Sequence, residues 1–234
     1  MPRRIEREDL AYDSIASTWH EFVNNYDTNR RIEVLVHEFL GAERLAGKTC
    51  LDGGCGLGDF SMEMLKFGPK RIVAVDIAPT LVTRLAERSA TIDARTADLL
   101  DLAPVVPETF DVVVSSEVIE HTPDPEAAVR SLCARVASGG YLALSVPNRR
   151  WIWLLRLAQW TGLRKKYLGW ENWVTPPDLT AWIAREGFSI VRAEGIHVVP
   201  WQFLPKPLLR RLDGRLRRRS YPYALNLAVL AKRP

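Results

Sequence analysis

Along the chain, short apolar runs alternate with segments in which apolar side chains return every three or four positions, and this alternation sets the elements. Residues 48–52, 71–76, 92–97, 110–115 and 140–146 are aliphatic without clean polar alternation, and each predicts a strand covered on both faces. Between them, residues 59–67, 78–89 and 125–136 predict helices. Buried strands interleaved with helices predict an α/β domain with a doubly wound, mainly parallel sheet. Ahead of this core, residues 12–40 predict one or two helices with polar breaks at Asn24-Asn25 and Thr28-Asn29. Behind it comes a Trp- and Arg-rich insertion over 149–172, then a helix over 177–186 stopped by Gly187. Strands over 188–193 and 223–231 follow, separated by a basic stretch over 206–219.

Composition narrows the picture. A chain of 234 residues with 47% hydrophobic side chains can build one substantial core. No repeat or low-complexity tract divides it, so one domain is expected over 1–234. No apolar run approaches the roughly 20 residues that a spanning helix needs. The start, Met1-Pro-Arg-Arg-Ile-Glu-Arg-Glu-Asp, has no apolar signal region, and a cytoplasmic protein is expected. Cys50, Cys55 and Cys133 lie in separate contexts without C-x-x-C spacing, which predicts buried thiols and neither disulfides nor a zinc site. The net charge of +4 conceals an asymmetry: from Arg149 onward there are 17 Lys and Arg against 5 acids, and before it 15 against 23. A basic final third on an acidic body suits an anionic partner, lipid or nucleic acid.

Candidate chemistry begins at Leu51-Asp-Gly-Gly-Cys-Gly-Leu-Gly58, between a strand and a helix. Glycines there let the backbone turn sharply and approach a ligand. The spacing Gly54-x-Gly56-x-Gly58 is not the G-x-G-x-x-G of dinucleotide folds, and Asp52 would oppose a pyrophosphate. A carboxylate in that place suits S-adenosylmethionine, which has cationic ammonium and sulfonium groups and no phosphate. Asp76 ends the next strand, where two carboxylate oxygens could hold ribose hydroxyls. Asp98 follows the third strand and could accept from an adenine amine.

Carried on these residues, the sequence resembles the class I S-adenosylmethionine-dependent methyltransferases. The resemblance implies a Rossmann-like seven-stranded sheet with an antiparallel last strand, a helical N-terminal lid over 1–44, a cofactor-binding core over 45–148, a helical insertion after strand five over 149–172, and a C-terminal helix and strands over 173–234. It implies cofactor contacts from Asp52, Gly53, Gly54, Cys55, Gly56 and Gly58 at the methionine end, from Asp76 and Ile77 at the ribose, and from Asp98 and Leu99 at the adenine. Glu117 and Val118 would complete that set. Four blocks sharpen the likeness toward the ubiquinone-biosynthesis O-methyltransferases, which methylate hydroxyls of prenylated catechols: Tyr12-Asp-Ser-Ile-Ala-Ser-Thr-Trp19, Glu117-Val-Ile-Glu-His121, Asn148-Arg149, and Val174-Thr-Pro-Pro-Asp-Leu-Thr-Ala-Trp182.

In that subfamily the Glu-x-x-Glu-His pattern is associated with a divalent metal, which implies a magnesium-like ion on Glu117, Glu120 and His121. Such an ion would lower the pKa of a bound phenol. The competing reading gives Glu117 to the cofactor and makes Glu120 and His121 supports for the next helix. His121 is also a candidate general base. His20, beside Trp19, could face the acceptor from the lid, and His197 could line the acceptor pocket; His37 lies in an ordinary amphipathic helix.

Residues 149–166 mix bulky apolar side chains with six cations and no acid. That composition fits a helix in a membrane interface, or a cover over the acceptor site with solvated cations. The expected function is O-methylation of a lipophilic or aromatic small molecule, quinol-like, with peripheral attachment to the inner face of the membrane. A methyltransferase for a soluble sugar or natural-product scaffold is the alternative. A nucleic-acid partner is disfavoured, because the chain has neither an aromatic-interleaved sheet motif nor the Asn-Pro-Pro-aromatic motif of base-methylating enzymes.

Overall fold

The computed structural model describes residue 13 and residues 25–162, 169–199 and 204–234. Seven strands, β1 (Thr49–Gly53), β2 (Arg71–Asp76), β3 (Ile92–Thr96), β4 (Phe110–Ser116), β5 (Val136–Pro147), β6 (Ser189–Ile196) and β7 (Asn226–Lys232), form one sheet in the order β3-β2-β1-β4-β5-β7-β6. β7 runs antiparallel to both β5 and β6, and the other pairs are parallel. Strand order reverses between β1 and β4, where open α/β sheets bind ligands beyond the strands' carboxyl ends.

Both faces of the sheet are buried, which explains the missing polar alternation. Leu51, Val73, Val113 and Leu142 pack against α5 (Pro125–Ala134) and α7 (Pro176–Arg185). Their strand neighbours Cys50, Ile72, Val112 and Ala143 face the opposite layer. That layer holds a π-helical segment (Glu33–Leu40), α3 (Asp59–Leu65) and α4 (Pro79–Arg88). The helix starts are written locally: Asp124 accepts from Ala127 N ahead of α5, and Thr175 from Asp178 N ahead of α7, each with proline in the first turn. α4 has no local side-chain cap, and Asp13 Oδ1 instead accepts from Thr80 N at 2.9 Å.

Four expectations change. The polar pair Thr28-Asn29 does not break the chain: it lies inside α1 (Asn25–Ile32), which runs through the π-helical segment into α2 (Gly41–Leu45). Thr28 is buried because it faces a polar cluster. β5 begins at Val136, where helix was expected, because Val136 pairs with Phe110 before a register shift. The basic stretch is a helix, α8 (Lys206–Ser220), packed on β6 with Leu209 and Asp213 buried. Among the described residues of the insertion, helix is a 3-10 turn (Arg149–Trp151) and α6 (Ile152–Trp160), and 169–172 are not helical; residues 163–168 lie outside those described. No helix among the described residues is long and apolar enough to cross a membrane.

Candidate active site

The glycine loop leaves β1 in a tight turn. Gly54 N and Cys55 N both donate to Val75 O, at 2.8 and 2.9 Å. Gly54, Gly56 and Gly58 have φ of 76°, 54° and 83°, where a side chain is strained. A Cβ on Gly54 would stand 2.3 Å from Val118 Cγ1, and one on Gly58 2.2 Å from Leu85 Cδ1. Gly53 is as crowded, with Leu132 at 2.8 Å and Leu99 at 3.2 Å. These glycines therefore serve packing as well as any ligand. The contact of Val118 with Gly54 brings the loop after β1 against the turn after β4.

Asp52 is buried, and Ser61 Oγ donates to its Oδ2 at 2.6 Å. Burial pushes its carboxyl up to about 7 despite that bond. Cys55 is buried, and its thiol is pushed up by the same desolvation. Asp76 receives Gly56 N on Oδ2 at 2.9 Å and Ala78 N on Oδ1 at 3.0 Å, so it braces the glycine loop itself. Desolvation also raises Asp76. Ile77 follows, half-buried. Asp98 follows β3 and turns back on Leu100 N at 3.0 Å, with Leu99 buried against Gly53.

After β4, Glu117 takes φ 56°, uncommon for a residue with a side chain. Its Oε2 accepts from Asn226 Nδ2 at 2.8 Å and its Oε1 from Ser145 Oγ at 3.3 Å. Burial raises its carboxyl to about 7. Glu120 is buried; desolvation, then the neighbouring Glu117, holds its carboxyl well above the usual range. Among the described residues, Glu120 Oε2 has no hydrogen-bond partner. His121 Nδ1 lies 2.9 Å from Trp170 O, and since a carbonyl only accepts, Nδ1 carries the hydrogen and a neutral ring has its lone pair on Nε2. Nε2 is 3.6 Å from Glu120 Oε1. Asn172 N and Nδ2 donate to Glu120 O and Thr122 O, fastening the end of the insertion to this turn.

The expected metal triad is not brought together. Among the described residues no group of three or more His, Cys, Asp and Glu side chains could hold a metal. The reason is local: Glu117 turns both oxygens to Ser145 and Asn226. His20 lies outside the described residues. His37 is exposed on the other layer, 3.0 Å from Glu63 Oε1. His197 is fully buried, with Nε2 3.0 Å from Asp27 Oδ1.

Several polar residues here escaped sequence reasoning. Arg31 Nη1 donates to Ser116 Oγ at 2.8 Å, and Ser116 shares a hydrogen bond with Ser145. Arg31 and Asp27 stand four apart on α1, a visible spacing, but nothing local says that it faces inward. Asn226 is the polar residue that opens the apolar β7, which was a usable signal.

The comparisons agree with this geometry. A family model described as a methyltransferase domain matches residues 25–193. The chain is 34% identical over 172 residues to the ubiquinone biosynthesis O-methyltransferase of Xanthomonas euvesicatoria pv. vesicatoria, covering 68% of this chain and 70% of that one. It is 30% identical over 211 residues to the enzyme of the same name from Hahella chejuensis, covering 84% and 88%. The crystal structure of magnesium protoporphyrin IX methyltransferase from Synechocystis with bound S-adenosylmethionine superposes with a TM-score of 0.65 at 17% identity, covering 100% of both chains. The chain belongs to the methyltransferase domain family and is an S-adenosylmethionine-dependent methyltransferase.

Proposed function

We propose that this enzyme methylates a hydroxyl of an aromatic, lipophilic acceptor. The observation that carries the reading is the contact of Val118 with Gly54: it sets the Glu117–His121 turn directly beside the glycine loop, across the point where strand order reverses. The two relatives named for ubiquinone biosynthesis support the acceptor class.

The loop fits the methyl donor. Gly54, Gly56 and Gly58 turn the backbone without side chains of their own, with Val118 and Leu85 packed against the first and last, and Asp52 offers a buried carboxylate to a cationic methionine end. Asp76, with Ile77, takes the ribose; Asp98, with Leu99, takes the adenine; Gly53, Cys55, Glu117 and Val118 complete the walls. S-adenosylmethionine held there supplies an electrophilic methyl on a sulfonium. His121 Nε2 is the atom that accepts the proton of the acceptor hydroxyl, while Trp170 O fixes the ring through Nδ1. The hydroxyl O–H bond breaks toward His121, the oxygen bonds the methyl as the S–CH3 bond breaks, and S-adenosylhomocysteine leaves. Placing the reactants in line is the protein's main contribution. The donor geometry around Glu117 does not suit a metal, so no step is assigned to one. Turnover should survive exhaustive chelation, and its loss with restoration by a divalent ion would reverse this assignment.

On α6, Trp153, Leu157 and Trp160 are 57%, 46% and 85% exposed and spaced along one helical face, with Arg149, Arg150 and Arg156 also exposed nearby. This face is proposed to rest on an anionic membrane surface that supplies a lipophilic acceptor. A panel of catechols, prenylated and not, sugars and amines, assayed with labelled S-adenosylmethionine by mass spectrometry, tests the whole reading. Methylation of the catechols supports it; methylation of the sugars or amines alone overturns it.

A further inference from the structure

Beyond the acceptor turn, α1, β6 and α8 meet in a cluster of buried charge that methyl transfer as described leaves unused. Asp27 bridges it: Oδ2 accepts from Arg31 Nε at 3.1 Å, and Oδ1 lies 3.0 Å from His197 Nε2. Arg31 donates further to Thr28 Oγ1 at 3.1 Å and to Ser116 Oγ at 2.8 Å. Its guanidinium is thus fixed by three side chains, with the Asp27 carboxylate as the nearest stabilising charge.

His197 is itself held rigidly. It takes φ 58° at the end of β6, stacks on Tyr26 with ring centroids 5.6 Å apart, and its carbonyl accepts from Leu225 N at 2.8 Å. Its Nδ1 lies 3.6 Å from Asp213 Oδ2, and Asp213 Oδ1 accepts from Val198 N at 2.8 Å. Arg30 Nε stands 3.8 Å from the same aspartate. The residue after Leu225 is Asn226, which donates to Glu117. One histidine therefore braces the acceptor turn from two sides, through Asp27 to Arg31 and through the start of β7 to Glu117. A left-handed backbone and a buried charge cluster both carry a cost, which suits a place where geometry matters more than stability.

We infer that Asp27 and His197 are positioning residues that hold the Arg31 guanidinium against Ser116, so that its positive charge stands beside the turn where the acceptor oxygen loses its proton. The inference rests on the methyl-transfer reading above. A fixed cation at reduced dielectric stabilises a developing oxyanion without reorganising, and a mobile one must be ordered first.

The test compares Arg31→Met, Asp27→Asn, His197→Gln, His197→Leu and the milder Ser116→Ala in the full chain. It reads melting temperature, cofactor affinity by calorimetry, kcat and KM on a catechol, and the exchange of the Arg31 Nε–H in 15N-labelled protein. Arg31→Met should lower kcat about 10- to 100-fold with cofactor affinity unchanged. Asp27→Asn and Ser116→Ala should lower the same parameter by less. His197→Gln, which keeps a donor for Asp27, should retain more kcat than His197→Leu. The Arg31→Met, His197→Gln double variant should be no slower than Arg31→Met alone. Folded Asp27→Asn and Ser116→Ala with wild-type kcat overturn the inference, as do losses that multiply in the double variant. Should wild type bind the cofactor and methylate no phenol, the proposed function falls. Exchange then decides the tether alone: slow in wild type and fast in Asp27→Asn supports it, and equal rates contradict it.

Discussion

Asp52 shows how far the fold moves a side chain from its solution chemistry. Burial raises it to about 7, against roughly 3.9 for an unperturbed aspartate. The folded apoprotein therefore keeps a proton that the unfolded chain sheds, and its stability falls as pH rises from about 4 to about 7. A cationic ligand prefers the ionised form, so the sign for binding is opposite. Affinity for S-adenosylmethionine should climb with pH to about 7 and then level. At pH 6, calorimetry in buffers of different ionisation enthalpy should show proton release that shrinks as pH rises past about 7. Asp52→Asn should abolish the release. Asp76→Ala should weaken binding by about 1.5–3 kcal/mol, the worth of hydrogen bonds to a charged group, through the ribose and through the brace on Gly56. These two aspartates were legible because Asp52 directly precedes the glycine loop and Asp76 closes the next strand. Arg31 was not: its partner Ser116 is 85 residues away, and only packing shows that α1 lies over the end of β4.

Among the elements, the glycine loop, α6 and the basic α8 carry the clearest consequences. Gly58→Ala places a methyl 2.2 Å from Leu85 Cδ1 at a positive φ. Overpacking of this kind costs about 1–3 kcal/mol, and at roughly 2–4 °C per kcal/mol the melting temperature should drop by several degrees. A folded variant with unchanged melting temperature would show that Leu85 moves aside at no cost. The basic stretch shows what charge counting misses. α8 turns Arg210 to Glu33 and Arg217 to Glu38 and Glu194, and buries Asp213. Part of its charge is thus paired within the molecule, while Arg211, Arg215 and Arg219 stay exposed, and the lipid contact remains proposed for α6, which presents the tryptophans. Trp151, at the start of the segment, donates its Nε1–H to Tyr223 O at 2.9 Å and so anchors the helix. Trp153 and Trp160 are the exposed pair. A Trp153→Ala, Trp160→Ala double variant should lose the salt-resistant part of its sedimentation with anionic vesicles and keep its melting temperature. Equal sedimentation of variant and wild type, or none by wild type, would make α6 an acceptor cover only.

At the scale of the whole molecule, the alternation of buried strands and helices carried the doubly wound sheet, because both faces are covered and the apolar runs say so. The position of β7 between β5 and β6 is different: it depends on the register of Leu142 with Ala231 and of Gly195 with Leu227, and no local pattern encodes it. That placement delivers Asn226 to Glu117 and His197 to Asp27, so the proposed acceptor side is assembled from the least legible part of the fold. The proposed donor side, gathered on β1 to β3, is the most legible. In the proposed function these two sides meet to methylate an aromatic oxygen. The most direct test uses S-adenosylmethionine with a 13C-labelled methyl, a prenylated catechol and the full chain, with carbon chemical shift reporting where the label lands. A methyl bound to oxygen, formed by wild type and strongly diminished in a folded His121→Ala variant, is the predicted result. Label on carbon or nitrogen, or no transfer to any catechol by protein that binds the cofactor, would contradict it.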